Sequence, residues 1–161
     1  MSAPVHEDVT ALATLTGPLM GLDLGTKTIG VAVSDGLRMT ATGLETIRRS
    51  KLAADAARLR EIIAGRGIVG IVIGLPRNMD GSEGPRAQST RAFARNIAAE
   101  IGLPIAFWDE RLTTMAAERM LIEADWSRKR RAEVIDKVAA AYILQGALDR
   151  LRMLSCGSAD D

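Results

Sequence analysis

Three acidic residues stand where an acid is either costly or well placed for chemistry. Asp23 lies inside the apolar run Leu19-Met20-Gly21-Leu22-Asp23-Leu24. There a carboxylate without a partner costs several kcal/mol or shifts its pKa. Gly21, Gly25 and Gly30 flank it, and glycines let a phosphate or a metal approach the backbone closely. The competing reading is an acid that points outward from an edge. Asp109-Glu110-Arg111 follows directly on a second apolar segment, at the point where the chain leaves a sheet. In open α/β sheets, ligands bind beyond the carboxyl ends of strands. Taken alone, the triplet is equally well read as a solvated group in which Arg111 pairs one acid. Asp136 falls near the start of a final helix, with Ala140 and Ala147 on its stripe. By itself it reads as an acid favoured by the helix dipole. The alanines, however, let that helix lie close to the sheet and bring Asp136 towards the strand ends. Together Asp23, Glu110 and Asp136 suit a hard cation such as Mg2+ or Mn2+. Two such ions about 3.5–4 Å apart can activate water and stabilise the leaving oxygen of a phosphodiester.

Cationic side chains cluster near these acids. Arg48, Arg49 and Lys51 join a strand to the first helix, and Arg128, Lys129, Arg130 and Arg131 precede the last helix. Charge runs are usually solvated faces. A basic run beside a carboxylate cluster would instead hold a polyanion over bound metal. Lys27 and Arg111 are further donors that could orient a phosphate. Asp80 and Glu83, in a loop rich in turn residues, read as solvent-facing turn formers, with metal ligation as the second possibility.

The rest of the composition limits the alternatives. The chain has 161 residues, 47% hydrophobic and 25% charged, enough to bury a core without a disulfide or a structural metal. Lys plus Arg is 21 and Asp plus Glu is 20, giving a net charge of +1, so any nucleic-acid footprint must be local. Phe93, Phe107, Trp108, Trp126 and Tyr142 are the only aromatics, too few for a strand binder built on base stacking. His6 is the single histidine and Cys156 the single cysteine. This argues against His-dependent nucleophilic catalysis and Cys-rich zinc sites, and it fits a reducing, cytoplasmic setting. No apolar run approaches a membrane span.

These residues must be positioned by a sheet. Residues 19–24 and 29–33 read as a hairpin, and 38–48 as a third strand. Ser50 is placed to cap a helix buried through Leu52, Ala56, Leu59 and Ile63. Residues 68–73 are continuously apolar and read as a strand covered on both faces. A loop spans 78–85, a helix 86–100 and a fifth strand 104–108. Thr113 is placed to cap a third helix, and a last helix begins near Val134. The order β-β-β-α-β-α-β-α-α predicts an α/β protein with a five-stranded mixed sheet, strands one to three antiparallel, and helices on both faces. Residues 1–18 read as a flexible extension, 19–154 as the domain and 155–161 as a frayed tail.

Four ordered motifs carry a resemblance to a family. They are Gly21-Leu22-Asp23-Leu24-Gly25-Thr26-Lys27-Thr28-Ile29-Gly30-Val31-Ala32-Val33-Ser34-Asp35, Val72-Ile73-Gly74-Leu75-Pro76-Arg77-Asn78-Met79-Asp80-Gly81, Asp109-Glu110-Arg111-Leu112-Thr113-Thr114 and Val134-Ile135-Asp136-Lys137-Val138-Ala139-Ala140. Together they resemble the YqgF (RuvX) family, described as Holliday-junction-resolvase-like and as pre-16S rRNA nucleases. The resemblance implies a ribonuclease-H-like fold and a divalent-metal nuclease acting on nucleic acid, either precursor rRNA or branched DNA, as a monomer or a homodimer with no membrane partner. Asp23, Glu110 and Asp136 match the family's proposed catalytic acids. Many ribonuclease-H-like nucleases carry an acid at the end of the fourth strand. Here that strand ends in Ile73-Gly74, and Glu110 stands as the candidate substitute. Two other readings remain open on sequence: a phosphate binder of the actin-like or sugar-kinase type, which shares the Asp-x-Gly-Thr hairpin, and a non-catalytic RNA-binding module.

Overall fold

The computed structural model describes the backbone of residues 3–112 and 128–159, and the side chains of 3–111 and 137–154. Its centre is the hairpin of β2 (Leu19–Leu24) and β3 (Thr28–Ser34), continued by β4 (Ala41–Arg48). All three pair antiparallel, with Met20 opposite Val33 and Ile29 opposite Ile47. β5 (Gly70–Leu75) runs parallel to β2, and β6 (Ile105–Asp109) parallel to β5. β5 is therefore central, and each of its residues is buried. This is why its sequence is apolar without alternation.

The sheet has six strands rather than five, in the order β1-β6-β5-β2-β3-β4. The additional strand, β1 (Val5–His6), comes from the stretch expected to be a flexible extension and pairs parallel with β6. Val9 and Leu12, in the following 3-10 turn, are 2% and 0% exposed. Arg38, whose backbone is left-handed at φ 57, donates its guanidinium to the carbonyls of Gly17, Leu12 and Leu15. Val9 and Leu12, separated only by the small Thr10 and Ala11, gave too short a pattern to announce this docking. It is completed by a side chain some two dozen residues away.

Helices cover both faces, as the alternation of elements predicts. α1 (Leu52–Arg66) and α2 (Pro85–Ile101) bury Leu59, Phe93 and Ile97 against Leu22, Ile71 and Ile73. α3 (Arg128–Ala159) covers the other face, where Ile143, Leu144 and Leu148 meet Ala32, Val72 and Ala106. α1 does not use Ser50 as its cap. Lys51 holds the cap position without a side-chain bond, and the Ser50 amide donates to Asp55 Oδ1 at 3.2 Å. α3 begins earlier than its apolar pattern predicts, so residues 128–131 form its first turn rather than precede it. Its backbone also continues past Ser155, where fraying was expected. The helix expected from Thr113 lies outside the described residues. Strand order and directions are those of the ribonuclease-H-like architecture.

The docked N-terminal segment makes a measurable claim. Leu12→Ala should cost about 2–5 kcal/mol in urea unfolding, the usual range for a fully buried leucine. A freely moving extension would leave stability within about 0.5 kcal/mol of the parent.

Candidate active site

Alternate residues of a strand share a face, so Gly21 and Asp23 of β2 lie on the face covered by α3. A Cβ at Gly21 would stand 2.7 Å from Leu144 Cβ and 3.0 Å from the Ala140 carbonyl oxygen. On β4, a Cβ at Gly43 would stand 2.9 Å from the Lys137 carbonyl oxygen. Gly21 and Gly43 both pair with Ala32 of β3. The row Gly21-Ala32-Gly43 thus forms a shallow seat into which the helix backbone sinks.

α3 runs along this seat from the carboxyl end of β2 towards its start. Lys137 lies over Gly43, Gln145 accepts from the Ala41 amide at the beginning of β4, and Leu148 and Leu151 join Leu12 and Leu19. Asp136 is one helical turn before Ala140 on the same stripe. Its backbone therefore belongs to the end of the helix near the carboxyl end of β2. Its side chain is outside those described.

Asp23 is 5% exposed and sits opposite Gly30 of β3. On its other side, Leu22 pairs with Ile73 of β5. The next residues along the two strands are Asp23 and Gly74. Glu110 follows β6 and opens a 3-10 turn, Glu110–Leu112. Its Oε1 lies 2.7 Å from where a Cβ on Gly74 would be, and Ile143 Cδ1 lies 2.5 Å from the same point. Gly74 is thus a notch at the end of β5 that admits a carboxylate from the neighbouring strand. Glu110 thus takes up part of the room left by the side chain that Gly74 lacks. Both carboxylates face α3, on the two sides of β5.

The charges around them separate into two kinds. Asp109, next to Glu110 in the chain, binds Arg111, with Arg111 Nη2 donating to Oδ2 at 2.6 Å. That bond holds the Asp109 carboxyl below the usual carboxylate range. Arg111, expected to orient a phosphate, is therefore engaged within its own triplet and also donates to the Met79 carbonyl at 3.3 Å. Arg91 joins Glu83 and Glu7, each at 2.6 Å, and stacks over Phe107. Its bonds hold both carboxyls below their ordinary range. Arg77 lies among Glu83, Asp109 and Glu7 at 3.5, 3.7 and 3.8 Å. This chain of pairs was not legible in sequence, because Glu7 and Arg91 meet only when β1 joins the sheet.

The remaining sequence candidates divide clearly. Asp80 accepts from the Ser82 amide at 2.9 Å and its hydroxyl at 2.6 Å, so it closes a turn, as one of its two readings required. Glu83 is taken by Arg91. Lys27 is exposed in the turn between β2 and β3. Arg128, Lys129, Arg130 and Arg131 belong to the first turn of α3, with side chains outside those described. Among the described residues no group of three or more His, Cys, Asp or Glu is gathered for a metal. Asp23 and Glu110 supply two hard oxygen donors on the α3 face. The notch at Gly74 leaves room for the Glu110 carboxylate and for the Ile143 side chain alike.

Comparison with known proteins agrees with the motifs. The model of the RuvX family, described as Holliday junction resolvase, matches residues 17–150. A protein of Cereibacter sphaeroides named "Putative pre-16S rRNA nuclease" is 72% identical over 153 residues, covering 93% of this chain and 96% of that one. A Paracoccus denitrificans protein of the same name is 72% identical over 139 residues, covering 86% and 88%. Among solved structures, T. thermophilus RuvC in complex with Holliday junction substrate aligns with a TM-score of 0.49 at 15% identity, covering 84% of this chain and 96% of that one.

The paired carboxylates give a pH signature. Glu7, Glu83 and Asp109 titrate below their ordinary values in the folded chain. The stability they lend is complete above the ordinary carboxylate range and is lost as pH falls through the lowered folded values. Arg91→Ala removes the main partner of Glu7 and Glu83. The thermal midpoint of the parent should therefore fall more steeply than that of the variant between about pH 5 and pH 3. Parallel curves would show that the pairs carry no linkage.

Proposed function

Because the chain belongs to the RuvX family, we propose that it is a divalent-metal nuclease that hydrolyses a phosphodiester bond in the precursor of 16S rRNA, in the cytoplasm. One observation carries the reading. The buried Asp23 and the Glu110 carboxylate lie on either side of β5, at the strand ends, around the notch that Gly74 leaves. A side chain at position 74 would collide with both Ile143 and the Glu110 carboxylate, so glycine there leaves room for the acid.

Asp23, Glu110 and Asp136 are the proposed ligands and catalytic acids. Mg2+ or Mn2+ held by them would supply water activation and neutralise charge developing on the phosphodiester. Asp23 is fixed by a central strand and cannot swing away. Glu110 is oriented by the 3-10 turn and by Ile143 against Gly74. Asp136 is brought by α3, whose depth is set by Gly21 and Gly43. Water is limited on the α3 side by Ile143 and Leu144, both fully buried. Arg128, Lys129, Arg130 and Arg131 sit at the end of α3 nearest these acids and are proposed to grip the substrate backbone. Lys27 is a further proposed contact, while Arg111 orients a phosphate only if it leaves Asp109.

A second reading, cleavage of branched DNA, is favoured by the description of the matching family model. Side-by-side cleavage of a pre-16S leader, unstructured single strands and a four-way junction with Mn2+ separates the two. Preference for the leader supports the RNA reading, and preference for the junction replaces it. On the preferred substrate, Asp23→Asn, Glu110→Gln and Asp136→Asn should each lower the cleavage rate about 100-fold or more. Near-ultraviolet circular dichroism should show each variant folded. A variant that cleaves at the parent rate removes that residue from the catalytic set.

The basic turn has its own readout. Changing all four residues at 128–131 to alanine should weaken substrate binding and flatten its dependence on salt. Each lost phosphate contact reduces the log–log slope by about 0.7–0.9. An unchanged slope would show that this turn does not touch the substrate.

A further inference from the structure

Resting on the nuclease reading, we propose that a cavity on the other side of the β2 end is a phosphate subsite, which takes a backbone phosphate of the nucleic-acid strand beside the cleaved bond. The cavity has a volume of about 260 Å³ and lies between the turn after β2 and the start of α2. Gly25, Thr26, Arg49, Arg86 and Ser89 line it, together with apolar Leu24. Two guanidinium groups and the hydroxyls of Thr26, Ser89 and Thr90 thus surround a space with no carboxylate in its lining.

That absence distinguishes it from the other arginines of this end of the molecule. Arg77, Arg91 and Arg111 each stand against carboxylates, and an anion there would have to displace them. Among the described residues neither Arg49 nor Arg86 is in a salt bridge. Arg49 is held in place without being neutralised. Its Nη1 donates to the Gly25 carbonyl at 2.8 Å, and its guanidinium lies 5.7 Å from the centre of the Phe93 ring. One of its five donors is used and its charge remains. Holding a side chain still before a ligand arrives lowers the entropy lost on binding.

The location suits a strand that passes over the acids. Leu24 points to the α1 and α2 side, whereas Asp23 faces α3. The turn that carries Gly25 and Thr26 is the next step of chain after Asp23. Gly25 is two residues from Asp23, about 7 Å along the backbone. A polyanion crossing the end of β2 therefore meets carboxylates on one side and unpaired cations on the other. A second cavity, of about 290 Å³, continues from Arg49 and Ser89 along α2 to Asn96. It contains Asp55, whose carboxylate accepts from the Ser50 amide and hydroxyl. An acid there disfavours a phosphate, which confines the subsite to the first cavity.

The test uses the full chain with EDTA, so that binding is read without cleavage, and then with Mn2+ for turnover. The probes are a labelled single-stranded RNA of the leader sequence and the same RNA with increasing salt. Arg86→Ala changes an exposed residue and leaves the fold intact, which its thermal midpoint checks. It should lower the salt slope by about 0.7 and raise KM with kcat unchanged, the mark of binding lost equally from ground and transition states. Arg49→Ala should do the same, and Arg49→Lys should recover part of the affinity, because a point charge remains without the planar fork. If Arg86→Ala and Arg49→Ala both keep the parent slope and KM, the subsite is overturned. If these slopes fall while the acid variants of the previous subsection cleave like the parent, the subsite stands and the catalytic assignment fails.

Discussion

The close approach of α3 to the sheet is the contact on which the site depends. An α-helix normally packs on a sheet through side chains on both surfaces, at a separation of about 10 Å. Here the helix backbone reaches the strands directly, with the carbonyls of Ala140 and Lys137 within about a van der Waals contact of the space over Gly21 and Gly43. The reverse occurs further along, where Gly146 on the helix accommodates the indole of Trp108. Small residues alternate between sheet and helix so that the two surfaces interlock. A bulkier seat would lift the helix, and Asp136 with it, away from the level of Asp23. The same closeness presses Ile143 against Gly74 and so shapes the pocket in which Glu110 lies.

Charge is distributed by the same logic of position. Three adjacent residues, Asp109, Glu110 and Arg111, have different fates although their sequence environment is the same. Asp109 ends β6 and turns to Arg111, a bond made within two residues. Glu110, one step later, is swung by the 3-10 turn towards the notch in β5. A hydrogen-bonded ion pair keeps Asp109 charged and quiet, which leaves Glu110 as the member of the triplet that enters the notch at Gly74. On the opposite side of β2 the pattern reverses, with neither Arg49 nor Arg86 in a salt bridge among the described residues. The end of the sheet therefore presents acids, neutralised pairs and bare cations in separate places.

The N-terminal segment belongs to this arrangement more than its composition suggests. β1 extends the sheet beside β6, and Glu7 then meets Arg91 on α2. Arg38, held in a left-handed conformation at the hairpin of β3 and β4, fixes the segment from the other end through backbone carbonyls. These are bonds between parts of the chain remote in sequence. Through β1 they join the N-terminal segment to β6, the strand that Glu110 follows.

Much of this was legible in the residues themselves. Periodicity gave the hairpin, the buried central strand, helices on both faces of the sheet and the existence of a final helix, because each pattern reports local burial that the fold then satisfies. Asp23 announced itself as an acid in an apolar strand, and the family motifs brought Glu110 and Asp136 beside it as candidates. What sequence left open was set by contacts between distant segments. Whether Arg111 serves a ligand or its neighbour depends on side-chain geometry, not on type. The sixth strand required a partner edge that only the folded β6 provides. The role of Gly74 is the clearest case. In sequence it marks a missing acid, and only the parallel alignment of β5 with β6 shows that the missing side chain is the room into which Glu110 fits.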